Sequence, residues 1–169
     1  REAYCRMVTS FHRAKRNVLI VQDDMETRFG KRERIDLWWG GLNLNGGLMM
    51  ILAYLLQTSY QWRGARVTLK MVVEDESAIP SVTDNLASIV KRARTGAHFE
   101  IIPARDRAFI DIFRESSADA DLIFMGLAEP QDDFELYYRA LRQQSAGMPP
   151  TLYVLAAEDL AFGEVLLKQ

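Results

Sequence analysis

Few residues in this chain of 169 could carry out acid–base or nucleophilic chemistry. There are two histidines, His12 and His98, and one cysteine, Cys5. His12 lies in a polar amphipathic stretch and His98 at the start of a predicted strand, so both are interpreted as surface or structural residues. Neither a Ser-His-Asp nor a Cys-His arrangement has support, and we predict no catalytic residue. The single cysteine also excludes a disulfide framework and a two-cysteine redox motif.

Carboxylates that could bind a divalent cation occur in two short clusters at the ends of predicted strands. The clusters are Asp23-Asp24 and Glu74-Asp75-Glu76, and their oxygen ligands would suit magnesium. Such clusters are more often solvated loop charges, so we predict no metal site. The net charge of −2 and the pI of about 5.8 give no basic surface for nucleic acid or an anionic membrane.

Three glycines are weak candidates for binding the phosphate of a cofactor. Gly46 and Gly47 precede a predicted helix, where backbone N–H groups could hold a phosphate. Their spacing matches neither GxGxxG nor a Walker A motif, which favours a turn with positive φ and a close backbone approach. Gly126 begins a loop with three carboxylates, which would repel a triphosphate. We therefore predict no cofactor.

Strands and helices alternate along the chain after the first 34 residues. The predicted strands begin at Ile35, Val67, Phe99, Leu122 and Leu152, and helices are predicted over 47–62, 77–94, 107–116 and 133–144. This alternation predicts right-handed βαβ crossovers. The strands are almost continuously apolar, as in a sheet that is covered on both faces. The helix over 47–62 is apolar nearly all round in its first half and is predicted to be buried.

The predicted fold class is α/β, a three-layer αβα Rossmann-like fold with a five-stranded mainly parallel sheet of order 3-2-1-4-5. A further strand, Val18–Val21, is predicted at an edge. Residues 1–16 are interpreted as an amphipathic lead-in helix and residues 17–169 as a single α/β domain. The chain opens on Arg1 without a methionine, which suggests a fragment of a longer protein. Its longest apolar run, Leu48–Leu56, is too short to span a bilayer, so the fragment is expected to be soluble.

Two blocks of sequence resemble the cytoplasmic C-terminal domain of cation-chloride cotransporters. The first is Ile35-Asp-Leu-Trp-Trp39, a short loop, the helix from Gly46 to Leu56, and Trp62. The family typically has an Ile-Asp-x-Trp/Tyr-Trp strand, an acidic Asp-Asp-Gly-Gly-Leu turn and a Leu-rich helix that ends near a tryptophan. In this chain Asn43-Leu44-Asn45 replaces the acidic residues of the turn.

The second block lies nearer the C-terminus. It consists of the strand within Ala120–Leu127, the pair Leu136-Tyr137, and the run Pro149-Pro-Thr-Leu-Tyr-Val-Leu155. The resemblance runs in order from about Asn17 to the end and corresponds to the second half of the family's C-terminal domain. The loop before Ile35 is short compared with animal members, which suggests a prokaryotic form.

The resemblance implies a universal stress protein-like fold and a non-catalytic regulatory and assembly domain of a Na/K-chloride cotransporter. The implied location is the cytoplasmic side of the cell membrane, as part of an integral membrane protein. The implied partners are a second copy, the first half of the C-terminal domain and the transmembrane domain, with no nucleic acid. The alternatives are a universal stress protein-like nucleotide-binding module and a Rossmann-like enzyme, for which no polar cluster is seen.

Three apolar patches could form the interface of such a domain. They are the Tyr4–Phe11 helix, the helix with Tyr137 and Tyr138, and the C-terminal segment with Phe162 and Leu166. A homodimer is expected to be symmetric, with the same patch on both copies. We predict self-association, or docking to the missing first half of the domain, through the C-terminal segment, with the Tyr137–Tyr138 helix beside it. The alternative is a tail that folds back on its own core.

Overall fold

Strands and helices alternate in the computed structural model, which describes residues 2–23, 28–40, 45–93 and 95–158. Short 3-10 turns cover Tyr60–Trp62 and Glu76–Ala78. The strands are β1 Val18–Gln22, β2 Arg34–Trp38, β3 Arg66–Val73, β4 His98–Pro103, β5 Leu122–Gly126 and β6 Thr151–Leu155. The helices are α1 Glu2–Arg13, α2 Gly46–Thr58, α3 Ile79–Ala93, α4 Phe109–Ser116 and α5 Phe134–Gln144.

These strands form one sheet of order β1-β6-β5-β2-β3-β4. The five strands from β2 to β6 are parallel to their neighbours, and β1 pairs antiparallel with β6 at the edge. The predicted order 3-2-1-4-5 with an extra edge strand is therefore confirmed. The first strand of the chain lies beside the last, and Val18 pairs with Leu155.

Side chains alternate between the two faces of the sheet and give it two hydrophobic cores. The core under α2 and α3 includes Ile35, Leu37 and Phe124. The core under α1, α4 and α5 includes Ile123 and Tyr153. Helices thus cover both faces, and the predicted three-layer architecture is confirmed.

Helix α2 is less buried than its composition predicted. Its first turn and Ala53 are buried, whereas the side chain of Leu55 is 56% exposed. Leu52 lies between these extremes and packs at the border of the core. A helix without charges does not reveal which side faces solvent, and exposed leucines are common on protein surfaces.

Two substitutions within α2 separate its buried side from its exposed side. Met50 is fully buried, so Met50→Ala is expected to lower the free energy of unfolding by about 2–5 kcal/mol through lost contacts and a cavity. Leu55→Ala serves as the matched control and should change it by less than about 0.5 kcal/mol. Urea denaturation followed by circular dichroism measures both values. Equal costs for the two variants would contradict the assigned orientation of α2.

Candidate functional site

A cavity of about 860 Å³ lies at the carboxyl ends of the parallel strands. It is bordered by residues at the ends of β2, β3, β5 and β6 and by the start of α2. Successive strands run outward from β2 in one direction and from β5 in the other, so the chain order reverses between these two strands. Ligands of open α/β sheets bind at this position, and the volume lies within the range of roughly 300–1,000 Å³ that is usual for ligand sites.

The cavity has apolar walls and acidic charges. Trp38, Phe109 and Met125 contribute to the apolar surface, and Glu74 and Glu129 supply carboxylates. The lining residues in the described part of the chain include no lysine, arginine or histidine. These two carboxylates would repel a phosphate group, in agreement with the repulsion predicted for the loop after Gly126.

Gly46 and Gly126 both line the cavity, but each serves close packing of a neighbouring side chain. A Cβ on Gly46 would lie 2.8 Å from two carbons of the Trp39 ring, Cζ2 and Cζ3. A Cβ on Gly126 would lie 3.0 Å from Nδ2 of Asn45. The close approach predicted for the loop before α2 is therefore present at Gly46, where the backbone φ is not positive, and Gly41 of the same loop lies outside the described residues. Gly47 is buried at the start of α2 and is not among the lining residues.

Asn45 connects three elements at the mouth of the cavity. Its Oδ1 accepts a hydrogen bond from the backbone N–H of Ala156 at 2.8 Å, and its Nδ2 donates to the carbonyl of Leu127 at 2.8 Å. It thereby ties the start of α2 to the ends of β5 and β6. A carboxylate could accept the first bond but could not donate the second. Asparagine meets both requirements, whereas an acidic residue, which the family resemblance would lead us to expect at this position, could not donate the second hydrogen bond.

A buried ion pair lies beside the cavity and was missed by the analysis of the sequence. Asp36 on β2 and Lys70 on β3 are 2% and 3% exposed, and Lys70 Nζ lies 3.0 Å from Asp36 Oδ2. The ammonium group also donates to Oγ of Ser116 at 2.7 Å and to the carbonyl oxygen of the same residue. The three protons of the ammonium group are thus matched by three acceptors. Glu100, on the neighbouring strand β4, lies 3.6 Å from Nζ and is half exposed.

The same network fixes one wall of the cavity. Ser117 donates to Asp36 Oδ2 at 2.7 Å and accepts a hydrogen bond from Nε1 of Trp38 at 3.1 Å. The Trp38 ring packs edge to face against Phe109, with centroids 5.3 Å apart. The charge pair and the cavity wall are therefore parts of one connected structure. The available signal was one charged residue inside each of the predicted strands that begin at Ile35 and Val67, which are otherwise uncharged.

The remaining candidate residues lie apart from this site. Burial raises the pKa of the Cys5 thiol, which disfavours its reactive thiolate. Asp75 accepts hydrogen bonds from the N–H and hydroxyl of Ser77, and these bonds lower the pKa of its carboxyl. Within the described ranges, no three histidine, cysteine, aspartate or glutamate residues form a group that could hold a metal ion.

The interface candidates on α5 make contacts within the chain. The hydroxyl of Tyr137 accepts a hydrogen bond from the backbone N–H of Ala128 at 3.0 Å, and Tyr138 stacks on Tyr4 with centroids 5.8 Å apart. Burial raises the pKa of both phenols. Phe162 and Leu166 lie outside the described residues. The interface role of all four side chains stays a prediction.

Comparison with known proteins supports the fold. No protein-family model and no curated protein sequence matches the chain. It is similar to the crystal structure of the cytoplasmic domain of a prokaryotic cation chloride cotransporter, with a TM-score of 0.73 and 17% sequence identity. The likeness covers 97% of this chain and 62% of that one, so the chain spans less than two thirds of that domain. At this identity the likeness shows a shared fold, and it confirms the resemblance predicted from the sequence.

No helix in the described part of the chain is both long and apolar enough to cross a bilayer.

Two glycine substitutions test the packing at the mouth of the cavity. Gly46→Ala is expected to lower the free energy of unfolding by about 1–3 kcal/mol, because its Cβ would overlap the buried indole of Trp39. Gly40→Ala is the control, because no atom lies within 4 Å of its added Cβ, and we expect a change below about 0.5 kcal/mol. Thermal and urea denaturation measure the difference, and a stabilised Gly46→Ala variant would contradict the packing.

A double-mutant cycle tests the buried ion pair. Asp36→Ala leaves the ammonium of Lys70 buried without its partner and should cost about 3–5 kcal/mol of stability. Combining Asp36→Ala with Lys70→Met removes both charges, so the double variant should be more stable than Asp36→Ala alone. Urea denaturation gives the coupling energy. If the losses of unfolding free energy in the two single variants add up to the loss in the double variant, the two side chains do not interact and the ion pair is contradicted.

Proposed function

We propose that this chain is a non-catalytic regulatory and assembly domain on the cytoplasmic side of a cation-chloride cotransporter. The observation that carries the proposal is the likeness in fold, over 97% of the chain, to the cytoplasmic domain of such a transporter. The resemblance of the two sequence blocks supports the proposal independently of the fold, because the blocks follow one another in this chain in the same order as in the family. The transported ions, chloride with sodium or potassium, belong to the proposed parent protein.

The positions of the motif residues agree with a domain that works as a scaffold. Asp36 is held in the buried ion pair, Trp38 is hydrogen bonded to Ser117, and Trp39 packs against Gly46. The family-like motif thus maintains the centre of the fold. A domain of this kind acts through its contacts, since a partner shifts transport only if it binds two transporter states with different affinities.

An apolar stripe on α1 is the best-placed docking surface among the described residues. The α1 stripe consists of Tyr4, Met7 and Phe11, which are 38%, 45% and 49% exposed. Cys5 and Val8 on the inner side of the helix are buried, so α1 is held in place while its stripe faces outward. Exposed apolar patches commonly mark interfaces. We propose self-association through the α1 stripe, with Tyr138 beside Tyr4 at its border.

Sedimentation velocity on the full chain tests this assembly. Met7→Asp combined with Phe11→Asp is expected to convert a dimer into a monomer without loss of helical circular dichroism. Tyr60→Asp is the control, because Tyr60 is 90% exposed and lies outside α1. A wild-type chain that is monomeric at high concentration would overturn self-association. If Phe162→Asp combined with Leu166→Asp dissociates the dimer and the α1 variant does not, the interface lies in the C-terminal segment and not on α1.

The gene that encodes the chain tests its proposed parent. Sequence upstream of the codon for Arg1 is expected to encode several apolar segments of about 20 residues each, as a membrane transporter requires. An upstream region that encodes only polar sequence would contradict the transporter assignment. This result is independent of the oligomeric state of the isolated chain.

A further inference from the structure

We infer that the cavity at the ends of β2 and β5 binds an organic cation, an ammonium or guanidinium group on an apolar stem. The inference rests on the charges and walls of the cavity and does not require that the chain belong to a transporter. A free alkylamine and a lysine or arginine side chain share this chemistry.

The charges of the lining favour a cation. Glu74 follows β3 and Glu129 follows β5, so they stand on either side of the end of β2. Strands are about 4.8 Å apart, which places the two strand ends roughly 10 Å from each other. In the described part of the chain no salt bridge reaches either carboxylate. Two negative charges thus border one cavity, and no described side chain forms an ion pair with either of them.

Neither Lys70 nor the start of α2 cancels these charges, and Arg105, which follows β4, is paired with Glu76. Lys70 is not among the lining residues and is paired with Asp36. The start of α2 borders the cavity and carries the equivalent of about half a positive charge. That partial charge is small beside two full carboxylates. The backbone N–H of Ala156 and the carbonyl of Leu127, which also border the site, already bond to Asn45.

The apolar wall suits the stem of such a ligand. Phe109 is 40% exposed and packs against Trp38, whose indole is fixed by Ser117. Aromatic faces attract cations as well as apolar groups. The thioethers of Met71 and Met125 add a polarisable surface that adapts to different stems. An apolar stem can therefore lie against this wall while its charged end is near Glu74 or Glu129.

Isothermal titration calorimetry with n-butylguanidinium tests the inference. We expect saturable one-to-one binding with a Kd of about 1 mM, the range for so small a ligand, weakening as salt is raised. n-Butanol, which has the stem without the charge, and Mg-ATP are expected to bind at least tenfold more weakly. Absence of saturable binding by n-butylguanidinium would overturn the inference, as would equal binding of n-butanol or tighter binding of Mg-ATP.

Charge-neutralising variants locate the site. Glu74→Gln combined with Glu129→Gln should weaken binding about tenfold, since each exposed charge contributes about threefold. Glu33→Gln is the control, because Glu33 immediately precedes β2 at the opposite end of the strand, and it should leave the Kd unchanged. Equal losses in both variants would show nonspecific attraction and would overturn the site. A capped Leu-Arg-Leu peptide that binds more tightly than n-butylguanidinium would identify a protein side chain as the source of the cation.

Discussion

The centre of this fold depends on one buried ion pair between neighbouring strands. Asp36 and Lys70 are removed from water on β2 and β3, where an unpaired charge would be strongly unfavourable. Each must therefore keep its partner and its hydrogen bonds whenever the chain is folded. Since Ser116 and Ser117 complete the network, the C-terminal end of α4 is held against the sheet at a defined position. A purely apolar contact could be equally stable without fixing the helix so narrowly.

The consequences of this arrangement extend to the cavity. Ser117 joins the ion pair to the indole of Trp38, and Trp38 packs against Phe109. On the other face of the sheet, Trp39 lies against Gly46 at the start of α2. The two adjacent tryptophans therefore fix α4 and α2 from opposite sides of one strand. Both indoles, together with Phe109 and Gly46 that they contact, line the cavity at the strand ends.

Much of the architecture could be predicted from the sequence, because strand and helix patterns depend on local periodicity. The alternation of apolar strands with helices predicted a parallel sheet covered on both faces, whereas the strand order agrees with the universal stress protein-like fold that the family resemblance implies. The exposed side of α2 could not be predicted, because Leu52 and Leu55 are chemically alike and differ only in what packs against them. The ion pair was missed for a related reason. Asp36 and Lys70 lie on strands that were predicted to be neighbours, but their contact depends on the register of the pairing, which places Asp36 opposite Thr68 and Lys70 opposite Trp38 and which the sequence does not specify.

The position of β1 also governs the order in which the molecule can be completed. Among the described strands, β1 pairs only with β6, since Val18 lies opposite Leu155 and Asn17 accepts a hydrogen bond from the N–H of Ala157. Its backbone remains without this partner until β6, the last of the described strands, has been synthesised. Contacts between such distant segments slow folding, because the intervening chain must first be ordered. Strands β1 and β6 thus close this edge of the sheet together, and the nascent protein carries β1 unpaired, with only α1 available to cover it from the preceding chain, until β6 has been made.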